Sequence, residues 1–294
     1  ERYKKIDYSY TAGNSPVSVN HFKSIAKQIC TKFNNSKKNK ILEIASNDGY
    51  LLQFFKKKGF EILGVEPALN IANKAIKKKI PTVKLFFGYK SAKKIKKTYG
   101  VQDLIICNNV YAHVPDILDF TKGLKELISK KGIITLEFPH FLNLVLKNQF
   151  DTIYHEHFSY LSLHSVTRIL KKFNLVIFKV EKLNTHGGSL RIYVKNKEHK
   201  EIIIDKSFKI IYQKEIRSHI FKKYKMLKFR EKLKVTKDNF INLLINLRLK
   251  KKKIVAYGAA AKGNTFLNYC NIGNSLIDFV VDRNPSKINK FLPG

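Results

Sequence analysis

Ile41-Leu42-Glu43-Ile44-Ala45-Ser46-Asn47-Asp48-Gly49-Tyr50-Leu51-Leu52, continued to Gly64-Val65-Glu66-Pro67, is the stretch that decides the fold. The apolar run Ile41 to Ile44 breaks at Ser46-Asn47-Asp48-Gly49, residue types that form a tight turn at low cost. Tyr50 to Gly59 starts apolar, becomes basic at Lys56-Lys57-Lys58 and stops at Gly, as a helix does when its cations sit at the negative end of its dipole. A second apolar run, Ile62-Leu63-Gly64-Val65, delivers Glu66. Strand, turn, helix, strand, acid opens a nucleotide-binding α/β sheet. The acid at the end of the second strand is placed to accept hydrogen bonds from ribose hydroxyls.

A chain of 294 residues is long enough to bury two substantial cores, and its 44% hydrophobic content is that of a folded globular protein. No run approaches the ~18 apolar residues of a membrane span, so no membrane partner is expected. Glu1-Arg2-Tyr3-Lys4-Lys5 lacks both a starting Met and an apolar signal core, and the other end stops abruptly at Leu292-Pro293-Gly294. The chain is therefore expected to be a piece of a longer protein at both ends. Cys30, Cys107 and Cys270 lie far apart and fit neither a disulfide framework nor a zinc site, which points to a reducing, cytoplasmic setting.

The net charge of +35 comes from 57 basic residues, of which seven are Arg and 50 Lys. Readers of nucleic acid favour Arg forks gathered on one face. Here Lys is scattered, as in Lys77-Lys78-Lys79, Lys130-Lys131 and Lys250 to Lys253. A coding bias toward Lys, Asn and Ile accounts for that scatter better than a binding face. Salt-sensitive adhesion to polyanions is expected as a side effect, with no specific nucleic-acid partner.

In order along the chain, residues 1–20 read as a lead-in segment and His21 to Phe33 as an amphipathic helix. After the opening unit come a helix over Ile71 to Lys79, an extended run Thr82 to Phe87 and a basic helix Ser91 to Thr98. The strand Asp103 to Val110 empties, with Asn109, into Tyr111-Ala112-His113-Val114-Pro115-Asp116, a loop expected to face a cofactor because ligands sit at the carboxyl ends of such strands. A helix Ile117 to Ile128 and a strand Ile133 to Phe138 follow, then Ser162 to Phe173 as helix and Leu175 to Val180 as strand. Asn184-Thr185-His186-Gly187-Gly188 is a turn running into a strand that carries Arg191. Asp205 to Lys253 reads as a polar helical connector, with Phe240, Leu243, Leu244 and Leu247 on one apolar face. A second nucleotide-type unit closes the chain: strand Ile254 to Tyr257, turn Gly258 to Gly263, helix Asn264 to Tyr269, strand Ile277 to Val281, then Asp282. The expected organisation is 1–20 lead-in, 21–200 nucleotide-binding domain, 201–253 connector and 254–294 the start of a second Rossmann-like domain.

The first turn has one glycine where a dinucleotide fingerprint needs three, which disfavours NAD there. Gly258-x-Ala260-x-x-Gly263 with Asp282 beyond it comes closer to that fingerprint, while Asn264 stands where a P-loop needs Lys. The most unusual stretch is Tyr154-His155-Glu156-His157-Phe158-Ser159-Tyr160. A metal site there is disfavoured: only His155 and His157 share a side if the segment is extended, and a third ligand would have to come from His113 or His186. A structural cluster paired with backbone and acid/base chemistry in a cleft both remain open, since a His near its ordinary pKa of ~6.5 moves protons at neutral pH.

Glu43…Asp48-Gly49…Glu66 resembles the class I S-adenosylmethionine (SAM) methyltransferases, whose cofactor has no phosphate to cradle. Together with Asn109 to Val114, Asn148 to His157, Thr185 to Arg191 and Tyr257 to Asn264, it makes nearly the whole chain resemble the sugar C-methyltransferases of deoxysugar biosynthesis. The resemblance implies a doubly wound SAM-binding sheet followed by a Rossmann-like domain that helps hold a nucleotide-linked keto-sugar. It implies SAM contacts from Glu43, Ala45, Asn47, Asp48, Gly49, Glu66 and Asn109, with Ala45 where the family usually has glycine. It also implies His157 as the base on the carbon beside a 4-keto group, with Tyr154, Glu156 and His113 around it. Tyr8, Tyr10, His186, Arg191, Gly258, Lys262 and Asn264 are expected at the substrate. The family's small zinc-binding domain has no counterpart here, since its cysteines are missing, so zinc is expected only outside this chain. Two other readings stay open: a non-catalytic nucleic-acid-binding or scaffolding protein on a degenerate Rossmann fold, and an NAD-dependent sugar-nucleotide enzyme using the Gly258 turn.

Overall fold

A computed structural model describes residues 16–32 and 39–293. Seven strands form one sheet in the order β3-β2-β1-β4-β5-β7-β6. β1 (Lys40–Ile44) lies at its centre, between β2 (Glu61–Val65) and β4 (Gln102–Asn108), and pairs with both in parallel. β3 (Thr82–Val83) closes one edge. β5 (Ile128–Pro139) runs parallel to β4, and β7 (Ser189–Asn196) enters antiparallel between β5 and β6 (Leu175–Leu183). The chain leaves β1 toward β2 on one side and returns through β4 on the other, so the order reverses at β1/β4. A ligand crevice opens at the carboxyl ends of the strands at such a reversal.

Central strands buried on both faces read as continuous apolar runs, and β1 and β4 do. One face of the sheet is covered by α1 (Pro16–Lys32), α2 (Leu52–Lys56) and α3 (Leu69–Lys77), through Ile25, Ile29, Leu52, Phe55 and Ala75. The other is covered by α4 (Tyr89–Tyr99), α5 (Ile117–Leu127) and, after the short α6 (Phe141–Leu146), α7 (Leu163–Lys171), through Ile95, Phe120, Leu124, Val166 and Leu170. Each such Ile, Leu, Val or Phe side chain, fully buried, contributes about 1.5–3 kcal/mol. Residues 16–20, inside the stretch read as a lead-in, are already part of α1.

Asp116, expected to face a cofactor, instead caps α5, its carboxylate accepting from the Leu118 and Asp119 amides at 3.1 and 2.9 Å. The stretch 205–253 is helical as α8 (Lys206–Arg217) and α9 (Lys223–Leu249). Leu244 is buried there with Phe240 and Ile241 against it, but Leu243 is 53% exposed, on the side of the helix turned away from that cluster. The closing unit is a parallel pair, β8 (Val255–Tyr257) and β9 (Phe279–Val281), with α10 (Ala261–Cys270) between them in sequence. α10 docks on residues 150–152: the Phe266 and Tyr269 rings lie 5.8 and 4.7 Å from the ring of Phe150.

Gly64 explains how the first turn folds over β2. A Cβ there would stand 2.5 Å from Ser46 Oγ and 3.1 Å from Thr82 Oγ1. Ala45 enters the turn at φ 56°, where L-residues are strained and Gly is not. Ala45→Gly should therefore stabilise the protein by about 0.5–1 kcal/mol, read as a higher midpoint in urea. An unchanged or lower midpoint would mean that the turn carries no strain at this position.

Candidate active site

The carboxyl ends of β1 and β4 hold an unusual number of unpaired polar atoms. Among the described residues, Glu43 Oε2, Ser46 Oγ, Asp48 Oδ1, both polar side-chain atoms of Asn108 and Asn109 Oδ1 are buried without a hydrogen-bond partner. Buried polar groups are ordinarily satisfied, so this set marks a place where a polar ligand completes the structure. Asn47 and Asn109 adopt φ of 52°, which Asn tolerates, and bend the chain around that place. Glu66 closes the crevice. Its carboxylate accepts from the Asn47 amide at 3.0 Å and the Ala68 amide at 2.9 Å, which leaves its remaining lone pairs for a diol.

Three carboxylates share this space. Burial, with the neighbouring charges of Asp48 and Glu66, pushes Glu43 well above the usual carboxylate range. Burial also raises Glu66, against the pull of its two backbone hydrogen bonds. Asp48 has a cationic partner in Lys78, at 2.6 Å. Burial holds Glu43 and Glu66 back from ionising, and a cation placed beside them would offset that cost, so the site suits a cationic ligand. SAM carries a sulfonium and an ammonium and needs no phosphate cradle, and the donor set fits it.

A second cluster adjoins the end of β4. Val110 leads into a tight turn, Tyr111–His113, and the Ala112 carbonyl accepts from the Phe158 and Ser159 amides at 2.9 and 3.2 Å. That stitch brings the 154–160 segment against the turn. The rings of His113, Tyr154 and Tyr160 lie 4.7, 4.5 and 6.3 Å from that of His157. His157 Nδ1 is 2.8 Å from the Thr152 carbonyl, which can only accept, so Nδ1 carries the proton and Nε2 is the basic nitrogen. Burial, then the neighbouring His157, lowers His113 to about 4, against a hydrogen bond with the Glu156 backbone that raises it. The segment is not extended: the His157 amide bonds back to the Tyr154 carbonyl, so His155 is exposed while His157 turns inward, and the two do not share a side.

His186, at φ 51° in the turn Thr185–Gly187, joins this cluster. Burial lowers its pKa, Glu137 opposes this, and Lys262 and His157 lower it further, so Lys262 in the first turn of α10 reaches the same neighbourhood. Asn264 lies one turn of backbone beyond Gly258, its amide bonded to the Ala260 carbonyl and its own carbonyl to Asn268. Asp282, the acid a dinucleotide fingerprint would offer to ribose, is instead bound to the Ala259 amide at 2.8 Å and to Lys287 at 2.9 Å.

Arg191, expected at the substrate, is an interior cation. The register of β5 and β7 sets it opposite Glu137, which it meets at 2.9 Å, with Glu181 at 3.5 Å. Tyr8 and Tyr10 lie outside the described residues. Sequence reasoning missed four participants. Glu137 is fully buried and takes His21 of α1 at 3.0 Å, and His140 meets the equally buried Glu215 at 2.6 Å. The place of His140 just beyond a strand end was a usable signal; nothing local marked Glu215 or His21.

A family profile described as a methyltransferase domain matches residues 21–180, and one described as a C-methyltransferase C-terminal domain matches 184–294. The chain belongs to the methyltransferase family. With both profiles present in sequence order, it is a SAM-dependent C-methyltransferase. It is 26% identical to the C-methyltransferase NovU of Streptomyces niveus, over 98% of this chain and 68% of that one. Its fold is similar to that of the PH0226 protein of Pyrococcus horikoshii OT3, with a TM-score of 0.51 and 15% identity over 67% of this chain and 99% of that one.

Two expectations follow for this methyltransferase. Glu66→Ala removes a charged acceptor from the crevice and should weaken SAM binding by ~1.5–3 kcal/mol; unchanged affinity by titration calorimetry would remove Glu66 from the cofactor site. His113 has a folded-state pKa below its unfolded one, so as pH falls from ~6.5 toward 4 only the unfolded chain takes up the proton, and stability should drop across that window. His113→Gln should flatten that part of a melting-temperature–pH curve, and an unaltered slope would mean that His113 is not desolvated.

Proposed function

We propose that the chain methylates the carbon beside the ketone of a nucleotide-linked 4-keto-deoxysugar, with His157 as the base. SAM, when bound, supplies the methyl group as an electrophile on its sulfonium. The observation that carries this reading is the tautomer of His157, whose proton is held on Nδ1 by the Thr152 carbonyl at 2.8 Å so that Nε2 is the acceptor. In the proposed step Nε2 takes the proton from carbon, and the electron pair left behind is delocalised onto the ketone oxygen. Tyr154 packs beside the imidazole and supports its orientation. His113, uncharged at neutral pH, sits next to His157 without opposing the positive charge that His157 gains.

The nucleotide-sugar part of the reading is supported by the motifs shared with sugar C-methyltransferases and by Lys262, a cation near His186 suited to a diphosphate oxygen. In this account residues 21–200 form the SAM-binding domain, the helical connector 201–253 packs its first helix onto that domain through Ile211 and Glu215, and 254–294 is the start of the domain that holds the sugar nucleotide.

His157→Ala should lower turnover by ~100-fold or more while leaving SAM affinity unchanged. Exchange of the substrate's ring hydrogen into heavy water, with SAM omitted, isolates the proton-removal step. A variant that exchanges at the wild-type rate would exclude His157 as the base.

A further inference from the structure

A carbanion beside a ketone forms readily only when a donor meets the oxygen that becomes negative, and proton removal by His157 leaves that donor unassigned. His140 is the candidate that the fold has prepared. It follows β5 directly, at the carboxyl end of the sheet, and lines a small cleft together with His157, Tyr160 and His186. Its Nε2 lies 2.6 Å from Glu215 Oε1, and both side chains are removed from solvent, at 5% and 0% exposure. Glu215 comes from α8, 75 residues away, and also accepts from the Leu163 and His164 amides at 2.6 and 2.8 Å. Glu215 thus accepts three N–H bonds and is fixed in place by them. A carboxylate buried against an imidazole fixes its tautomer, with the proton on Nε2, and stabilises the imidazolium. Nδ1 has no partner among the described residues, and His140 is a wall of the cleft. A structural pair would need no opening onto the cleft that the base also lines.

We infer that His140, backed by Glu215, is a second catalytic imidazole of the cleft, and that as an imidazolium it donates from Nδ1 to the substrate oxygen that gains charge when His157 removes the proton. This inference rests on the reading of the reaction above. The balance is closed: the C–H electron pair passes to the oxygen, the proton goes to His157 Nε2, and the Nδ1 proton is shared with the oxygen and returns when the ketone re-forms. The titratable groups facing His140 are Glu215 from α8, His186 from the 185–187 turn, and His157 and Tyr160 from the loop.

The test uses the whole chain, a nucleotide-linked 4-keto-deoxysugar and three readouts: ring-hydrogen exchange without SAM, methyl transfer with it, and the pH profile of kcat/KM. His140→Gln should slow exchange and methyl transfer by about 100-fold, the usual loss of one oxyanion donor, with SAM affinity unchanged. It should also remove the alkaline limb of the pH profile, since the donor must be protonated, whereas a purely structural role would leave the limb in place. Wild-type exchange by His140→Gln, with wild-type protein active, overturns this inference and leaves the reaction reading standing. Wild-type protein that neither exchanges nor methylates overturns both. If His140→Gln does not fold, histidine nitrogen NMR of the wild type decides. A His140 Nδ1 resonance that moves when the keto-sugar is added supports the role, and one that stays still overturns it.

Discussion

The carboxylate of Glu137 holds the site together. It lies at the end of β5 with no exposed surface, meets Arg191 across the β5–β7 pairing at 2.9 Å, receives His21 from α1 at 3.0 Å and accepts from Thr185 at 3.4 Å. Burial alone would raise its pKa, but the His21 hydrogen bond and the charge of Arg191 hold it below the ordinary carboxylate range. One charge thus ties the first helix, the strand that leads into His140 and the turn that carries His186. Removing one partner of such a pair strands a charge in the interior, at a typical cost of about 3–5 kcal/mol. The insertion of β7 between β5 and β6 is what makes the pairing possible, and it sets the 185–188 turn beside Pro139 and His140, where Gly188 accepts from the His140 amide at 3.1 Å.

From that frame the two ends of the crevice acquire opposite electrostatics. Around β1 the acids Glu43, Asp48 and Glu66 crowd together, and Glu43 is pushed upward by burial and by the other two. This is a place for a cation. Beyond β4 the histidines crowd instead, and burial drives His113 and His186 toward their neutral forms. Neutral imidazoles accept protons, and a nearby cationic ligand does not repel them. Strand order brings the two environments side by side, because Asn108 ends the strand that leads through Asn109 to His113.

What could be read from the sequence was what depends on local order. The apolar run before Ser46, the acid after Val65 and the loop after Asn109 are neighbours in the chain as well as in space, so their chemistry could be assigned before their geometry was known. The pattern Asn184 to Gly188 reads as a turn for the same reason. What could not be read depends on partners distant in sequence. Arg191 looks like a ligand-binding cation until the register of β5 and β7 sets it against Glu137, 54 residues earlier. Glu215 looks like an ordinary helix acid until α8 brings it to His140. Asp282 fits a dinucleotide fingerprint by spacing, yet its carboxylate is bound by Ala259 and Lys287. Spacing states which residues can meet, while competing partners decide which do.

The central claim is that a basic imidazole and a SAM crevice on one sheet edge direct methylation to carbon. Incubation with SAM labelled with ¹³C at its methyl group and a nucleotide-linked 4-keto-deoxysugar, followed by carbon–proton correlation NMR of the product, tests it most directly. The account predicts that the labelled methyl is bonded to a ring carbon next to the carbonyl carbon. A labelled methyl on oxygen or nitrogen, or no labelled sugar at all, would contradict it.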